Sequence, residues 1–341
     1  MPTLASRHKS SSAFGFGETV ILINRFIALL AASAALATAG AAAPSPAIDY
    51  LDLTDDYANF WTDSQAIDPA ERPARFRAHF AQLLPGFYDP ARNSVDPALY
   101  DKFIASSLRA FPKQRAGIED VSRRFESLIG PTLVDFEKRL GLVGRQRVLL
   151  LHSMGEMDGG VRTLEGRRVL VFGADRIAEL HGAHRIQPFF HHELFHQYHA
   201  RRFVGCDALW CSLWSEGLAV HAAQQLTPDA TDGELLLNVP EPIRAAVDAR
   251  RNLAVCMLAA KLDSTASADF AGLFQFQRQI PELPPRFGYY VGYLVAREAG
   301  RTRALKALAA LDVAEARPLV EKALRSLERC PDSLRVAPAK S

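Results

Sequence analysis

The sequence predicts an α+β protein that is mostly helical, with a small sheet placed before a histidine-bearing helix. Over residues 50–140, apolar residues recur at three- and four-residue spacing, which is typical of amphipathic helices. Two short apolar runs, residues 148–151 and 169–172, are separated by glycine-rich turn residues and indicate strands. Helical spacing returns at Pro188 and continues to Leu327. Helical segments on either side of a short stretch of strands predict the α+β class.

Prolines punctuate the first helical region. They stand at positions 85, 90, 97, 112 and 131, and we expect each of them to end a helix, so this region should consist of short helices. The predicted organisation has four parts. These are a signal peptide (1–43), a helical N-terminal region (44–140), a domain with the sheet and a helical C-terminal part (141–330), and a frayed tail (331–341).

Composition excludes several classes of protein. Of the 341 residues, 48% are hydrophobic and 23% are charged, which fits a soluble globular chain and not a disordered or fibrous one. Forty basic residues against 38 acidic residues leave a formal net charge of +2. So small a charge provides no field that would attract nucleic acid, and we predict no nucleic-acid partner.

The N-terminus indicates export. An alanine-rich apolar stretch, residues 26–43, follows Arg25 and ends in small residues that suit a signal peptidase. We therefore expect a cleaved signal peptide and a periplasmic or secreted protein. The alternative is an uncleaved membrane anchor, since the stretch is close to spanning length.

Four cysteines become informative in an exported chain, because disulfides persist outside the cytoplasm. Cys206 and Cys211 are close enough to close a short loop, and Cys256 with Cys330 would then join two C-terminal helices. Four cysteines permit three pairings, and the sequence does not choose among them.

The chemistry-bearing motif lies in residues 188–203, where His192, Glu193 and His196 form an H-E-x-x-H pattern. Pro188 is suited to open a helix. Residues four apart on a helix lie on one face, so both imidazoles can reach one zinc ion, and Glu193 can reach a water beside it. Roughly 1–2% of shuffled sequences of this kind would contain the motif by chance, so a second signal is needed.

Glu216 provides that second signal. It lies twenty residues after His196, on an apolar helical segment with small and apolar neighbours. A catalytic zinc has three protein ligands and one open position, and two histidines plus one glutamate form a known set. A buried glutamate also needs a partner. We therefore predict one zinc ion per chain, bound by His192, His196 and Glu216.

The segment HELFH, followed by E-G-L-A twenty residues later, resembles the gluzincin group of zinc metallopeptidases. It is also similar to a bacterial family of predicted zinc-dependent proteases, with glycines near a strand upstream and a later G-Y-x-x-G-Y segment, here residues 288–293. The resemblance covers roughly residues 145–300. It implies a zincin-like fold, the three zinc ligands named above, and Glu193 as the catalytic base.

The sequence departs from relatives of this group at two places. Val220 stands where some gluzincins have an acidic partner for a zinc-bound histidine, and the G-x-M-E-N segment of aminopeptidase relatives is missing, so an aminopeptidase is not supported. A metzincin is excluded by spacing, because His199 and Arg202 occupy the positions that its glycine and third histidine would take. His199 is either a hydrogen-bonding neighbour of the metal ligands or a helix residue without a role. His191 points away from the ligand face and is expected to be structural.

Two further features could serve catalysis. Tyr289 and then Tyr293 are our candidates for a donor that stabilises the oxyanion of peptide hydrolysis, with core aromatics as the alternative. The strand at 169–173 could form the sheet edge on which an extended peptide lies, or it could be purely structural.

The sequence thus predicts a zinc-dependent peptidase that acts on peptides or proteins through a water activated by Glu193. Two alternatives stay open: a zinc hydrolase of non-protein or cell-wall substrates, and a non-catalytic binding protein that contains zinc. The intact Glu193 argues against the second, because a structural site needs ligands but no base. Endo- or exopeptidase action, and a pro-segment within residues 44–140, are left undecided.

Overall fold

A computed structural model of the protein describes residues 48–330, which belong to one compact unit. The predicted signal peptide (1–43) and the predicted tail (331–341) lie outside the described residues. The described part is mostly helical with one small sheet, so the predicted α+β class is confirmed.

Twelve α-helices, one 3-10 helix and four strands make up the described residues. The helices are α1 (Thr54–Ser64), α2 (Arg72–Leu83), α3 (Pro97–Leu140), α4 (Ala174–His181), α5 (Gln187–His199), α6 (Leu209–Leu226), α7 (Ile243–Ala249), α8 (Arg251–Ala259), α9 (Ser267–Phe274), α10 (Phe287–Ala299), α11 (Leu305–Ala309) and α12 (Val313–Leu327), and the 3-10 helix is Pro90–Asn93. None of the helices in this part of the chain combines the length and the apolar character needed to span a membrane.

The sheet has the strand order β1-β2-β4-β3, with β1 (Ile48–Asp52), β2 (Gln146–Leu151), β3 (Gly159–Leu164) and β4 (Arg167–Gly173). β1, β2 and β4 run parallel, and β3 pairs antiparallel with β4. The two apolar runs predicted as strands are confirmed as β2 and β4.

The other two strands carry weaker sequence signals. β1 comes from the region predicted to be helical, and β3 begins at the glycine pair that was assigned to turns. In the strand order, β4 lies between β2 and β3, so β4 is inside the sheet and β3 forms the edge next to it. Of the two alternatives for the strand at 169–173, the strand order excludes a sheet edge and leaves a structural strand.

The prediction of short helices before residue 140 is also wrong over α3. This helix runs for 44 residues and continues through Pro112 and Pro131. A proline inside a helix removes one hydrogen bond and usually breaks or kinks the helix. Here apolar side chains at helical spacing are buried along the whole helix, and their packing outweighs the two lost hydrogen bonds.

An aromatic cluster fixes α5 against the sheet and α3. Phe172 of β4 lies 4.7 Å from Phe125 of α3 and 5.4 Å from Phe190 of α5, measured between ring centroids. The rings of Phe125 and Phe190 are 5.5 Å apart. Such pairs contribute about 0.5–1.5 kcal/mol each beyond the area they bury. The position of α5 is therefore fixed by two elements, β4 and α3.

The helices α6 and α10 approach each other at two glycines. A Cβ atom at Gly217 would overlap the backbone of Gly292, and a Cβ atom at Gly292 would overlap the backbone carbonyl of Leu213. Only glycine permits so close an approach of two helices. The contact packs the middle of α10 against the middle of α6.

Of the three pairings that the sequence left open, the structure contains the one that joins Cys206 to Cys211 and Cys256 to Cys330. Cys206 bonds Cys211 at the start of α6, and Cys256 of α8 bonds Cys330 beyond the end of α12. The first closes the turn between α5 and α6, and the second links segments 74 residues apart in the chain.

Candidate metal centre

The helix α5 presents two imidazoles on one face. Pro188 stands at its N-terminus, and His192 and His196 follow one turn apart. Their Nε2 atoms lie 3.0 Å from each other. Four-residue spacing on a helix accounts for this arrangement, as the sequence predicts.

Glu216 of α6 completes a three-atom cluster with these imidazoles. Its Oε2 lies 3.3 Å from the Nε2 of His192 and 3.3 Å from the Nε2 of His196. Ligand atoms placed tetrahedrally at about 2.0–2.1 Å from one centre are about 3.3–3.4 Å apart. The three separations are close to that geometry, so these side chains could hold a metal ion.

Opposite charges dominate the electrostatics of this cluster. Burial alone would lower the pKa of His196, but the Glu216 carboxylate outweighs burial and raises the pKa to about 9. Burial raises the pKa of Glu216, yet the two imidazoles more than offset it and hold this pKa well below its usual range. Glu216 is therefore ionised at neutral pH, as a metal-binding carboxylate must be.

Glu193 lies beside the cluster but is not part of it. The residue is 6% exposed, and no described residue forms a hydrogen bond or an ion pair with its carboxylate. Burial raises its pKa above the usual range for a glutamate. A Cβ atom at Gly159 of β3 would lie 3.2 Å from its Cγ, so the edge strand passes directly against this side chain. Glu193 is a buried acid without a partner, next to a possible metal site.

The two candidate tyrosines lie in different surroundings. The ring of Tyr289 is 6.5 Å from that of His192, and within the described residues its hydroxyl takes part in no hydrogen bond. Tyr293 lies one turn further along α10, where its ring contacts those of His221 and Tyr290. The structure thus places Tyr289 in the cavity wall near the three-residue cluster and Tyr293 outside that wall.

The two other histidines of α5 are buried and lie outside the cluster. Burial lowers the pKa of His199 to about 3, and its ring stacks against that of Phe203 at 4.9 Å. Burial also lowers the pKa of His191 to about 4, and its Nδ1 lies 3.2 Å from the hydroxyl oxygen of Thr227. Both imidazoles are therefore neutral at pH 7. Neither forms a hydrogen bond with the three cluster residues.

A cavity of about 410 Å³ contains the cluster, Glu193 and Tyr289. Its wall comes from β3, β4, α5, α6, the start of α10 and the loop at 234–236. The sequence analysis predicted none of four further charged residues of this wall: Asp158, Arg168, Glu234 and Arg286. Two of them, Asp158 and Arg286, begin segments that enclose the cavity. Asp158 precedes the edge strand, and Arg286 precedes α10. No motif surrounds either residue, and only the fold brings them to the cavity.

Comparison of the chain with protein-family models, with curated proteins and with solved structures finds no match.

Proposed function

We propose that this protein is a zinc-dependent metallopeptidase of the gluzincin type, with a zincin-like fold. The observation that carries the proposal is the convergence of His192, His196 and Glu216 on one point, with the unpartnered carboxylate of Glu193 beside it. A structural metal site would need the three ligands only. A buried acid that faces the same cavity suits a catalytic site.

The donor set fits zinc. Two imidazole nitrogens and one carboxylate oxygen are ligands that zinc accepts, and three protein ligands leave the open position of a catalytic site. A zinc ion held there would polarise the scissile carbonyl and lower the pKa of water. The sequence resemblance to gluzincins and the order of sheet, α5 and α6 support the same assignment.

Glu193 would act as general base and then as general acid. Its carboxylate would take a proton from the attacking water and pass it to the nitrogen of the leaving amine. Burial, which raises its pKa, makes the carboxylate a stronger base than an exposed glutamate. A base whose pKa lies closer to the working pH is more effective in both transfers.

Tyr289 would donate a hydrogen bond to the carbonyl oxygen of the scissile bond as that oxygen gains negative charge. The free hydroxyl and the nearness of His192 support this role.

We expect Tyr289→Phe to lower kcat roughly 10- to 150-fold, the value of a hydrogen bond to a charged group, with little change in KM. Steady-state kinetics would measure this, with Tyr293→Phe as the matched control. Equal losses in both variants would contradict the role of Tyr289.

The edge strand β3 supports a peptide as the substrate. Its first residues line the cavity, and because Gly159 has no side chain, the strand itself lies close to Phe189 and Glu193. An extended peptide could add to this edge through backbone hydrogen bonds, which need little sequence preference. The strand proposed to bind the substrate is therefore β3, and not the strand at 169–173 that the sequence analysis considered.

Export to the periplasm or out of the cell is part of the proposal. It rests on the sequence of residues 1–43, and the two disulfides support it, because disulfides are rare in the cytosol of most organisms.

The test is to measure zinc per chain in the purified mature protein and to measure hydrolysis of a mixed peptide pool by the zinc-loaded protein. We expect one zinc ion per chain and new peptide termini detected by mass spectrometry. Zinc without hydrolysis of peptides would favour a different hydrolase substrate, such as a cell-wall peptide. A chain that binds no zinc after metal reconstitution would overturn the proposal.

A further inference from the structure

A single buried arginine faces the candidate active site. Arg286 is the residue before α10, it lines the cavity, and it is only 7% exposed. Its backbone adopts the left-handed conformation, with φ 67°. Residues other than glycine and asparagine seldom adopt this conformation, and such residues cluster at functional sites.

The guanidinium of Arg286 has no acidic partner. One nitrogen, Nη1, donates to the carbonyl oxygens of Leu236 at 3.4 Å and Val239 at 3.1 Å. The group also stacks over Tyr289, 4.8 Å from the ring centroid, and over Phe276 at 5.1 Å. Among the residues that the structure describes, no carboxylate lies within 4.0 Å of it.

Two other arginines at or next to the cavity wall differ from Arg286. Arg168 lines the cavity but is exposed, so water solvates its charge, and Arg185 pairs with Glu234 of the wall. A buried charge without a counter-charge is costly and is retained where a ligand supplies that charge. Arg286 therefore has the properties of a receptor for an anion from outside the chain.

We propose that Arg286 binds a carboxylate of the peptide substrate, so that the enzyme prefers peptides with a carboxylate near the cleaved bond. Nη2 and Nε make no hydrogen bonds to the described residues, and together they form the fork that matches a carboxylate. The ring of Tyr289 lies 4.8 Å from the guanidinium carbon of Arg286 and 6.5 Å from the ring of His192, so a carboxylate held by Arg286 would share the cavity with the three-residue cluster. The peptide nature of the ligand rests on the function proposed above.

The carboxylate could be the C-terminus of the peptide or the side chain of an aspartate or glutamate. The guanidinium recognises the same chemical group in either case. The first source would make the protein a carboxypeptidase, and the second would make it selective for acidic residues.

The competing explanation is that Arg286 only holds the loop at 236–239. Two variants separate the explanations. Arg286→Gly removes the guanidinium and suits the left-handed backbone, so it should fold. Arg286→Lys keeps the charge but loses the fork. Arg303→Gln, at an exposed position outside the cavity wall, is the control for the loss of one positive charge.

The experiment measures binding and not turnover. Immobilised full mature protein carrying Glu193→Gln is exposed to an N-acetylated tryptic peptide pool, either intact or with all carboxylates amidated. Retained peptides are identified by mass spectrometry. For the best-retained sequences, synthetic pairs with a free or amidated C-terminus, and with Glu or Gln, give Kd values that distinguish the two sources of the carboxylate.

We expect the carboxylate form of a pair to bind roughly 10- to 150-fold more tightly than its neutral counterpart, the range for hydrogen bonds to charged groups. This preference should fall to about one in Arg286→Gly, persist in part in Arg286→Lys and remain unchanged in Arg303→Gln. Three results would each overturn the inference. These are equal retention of the intact and amidated pools, retention of neither pool, and a preference for the carboxylate form that survives in Arg286→Gly. Peptide hydrolysis by the wild-type protein is measured in a separate assay. Carboxylate-dependent binding without hydrolysis would therefore contradict the peptidase function and support the role of Arg286 in binding.

Discussion

Glu193→Gln is expected to lower kcat/KM of the zinc-loaded protein roughly 100- to 10,000-fold, the range for loss of a general acid–base group. The change preserves the size of a side chain buried between α5 and β3, so the fold should be retained. An amide cannot accept the proton of water at neutral pH. Because the Glu193 carboxylate lies outside the metal cluster, zinc content should stay at one ion per chain.

The matched control for this variant is Glu282→Gln, at an exposed position that does not line the cavity. It removes the same charge and should leave kcat/KM unchanged. Full activity of Glu193→Gln would contradict the assignment of the base. Loss of zinc in that variant would place Glu193 among the ligands.

Glu216→Ala is expected to weaken zinc binding by more than about 100-fold. Loss of a residue that only supports a metal ligand already costs roughly 10- to 100-fold in affinity, so loss of a ligand should cost more. Competition with a chromogenic chelator would measure the zinc affinity of each variant.

Together the two substitutions separate binding from catalysis. Glu216→Ala should lose zinc and activity, whereas Glu193→Gln should lose activity only. Gln225→Ala, at an exposed position of α6 outside the cavity wall, serves as the control for changes in this helix. Zinc affinity that is unaffected by Glu216→Ala would show that the third ligand is misassigned.

Much of the fold follows from local patterns in the sequence. The apolar runs of β2 and β4 and the helices from α5 to α12 were predictable, because side-chain periodicity is a local property. The long α3 was not predictable from its prolines. Propensity favours breaks at Pro112 and Pro131, and only the burial of one continuous apolar face decides against them.

The sheet shows the same division. Strand β3 begins with two glycines and has mostly half-buried residues, so its own sequence resembles a turn. It becomes a strand because β4 offers it an antiparallel partner. Which strand forms the edge depends on the order of the whole sheet, and this order placed β3, not β4, beside Glu193.

The sequence by itself predicted the cluster of His192, His196 and Glu216, which could hold a metal ion. His192 and His196 are one helical turn apart, and Glu216 stands among apolar and small residues of a helix, which predicts a buried carboxylate that needs a partner. These local features were enough to predict the cluster. The tertiary structure alone decided which tyrosine approaches it, because the glycine contact between α6 and α10 brings Tyr289 to the cavity and places Tyr293 outside it. It also revealed Arg286, whose lack of a carboxylate partner depends on elements distant in sequence. Whether a charged side chain in a cavity has a partner of opposite charge depends on the packed chain, and the residues next to it in the sequence do not show this.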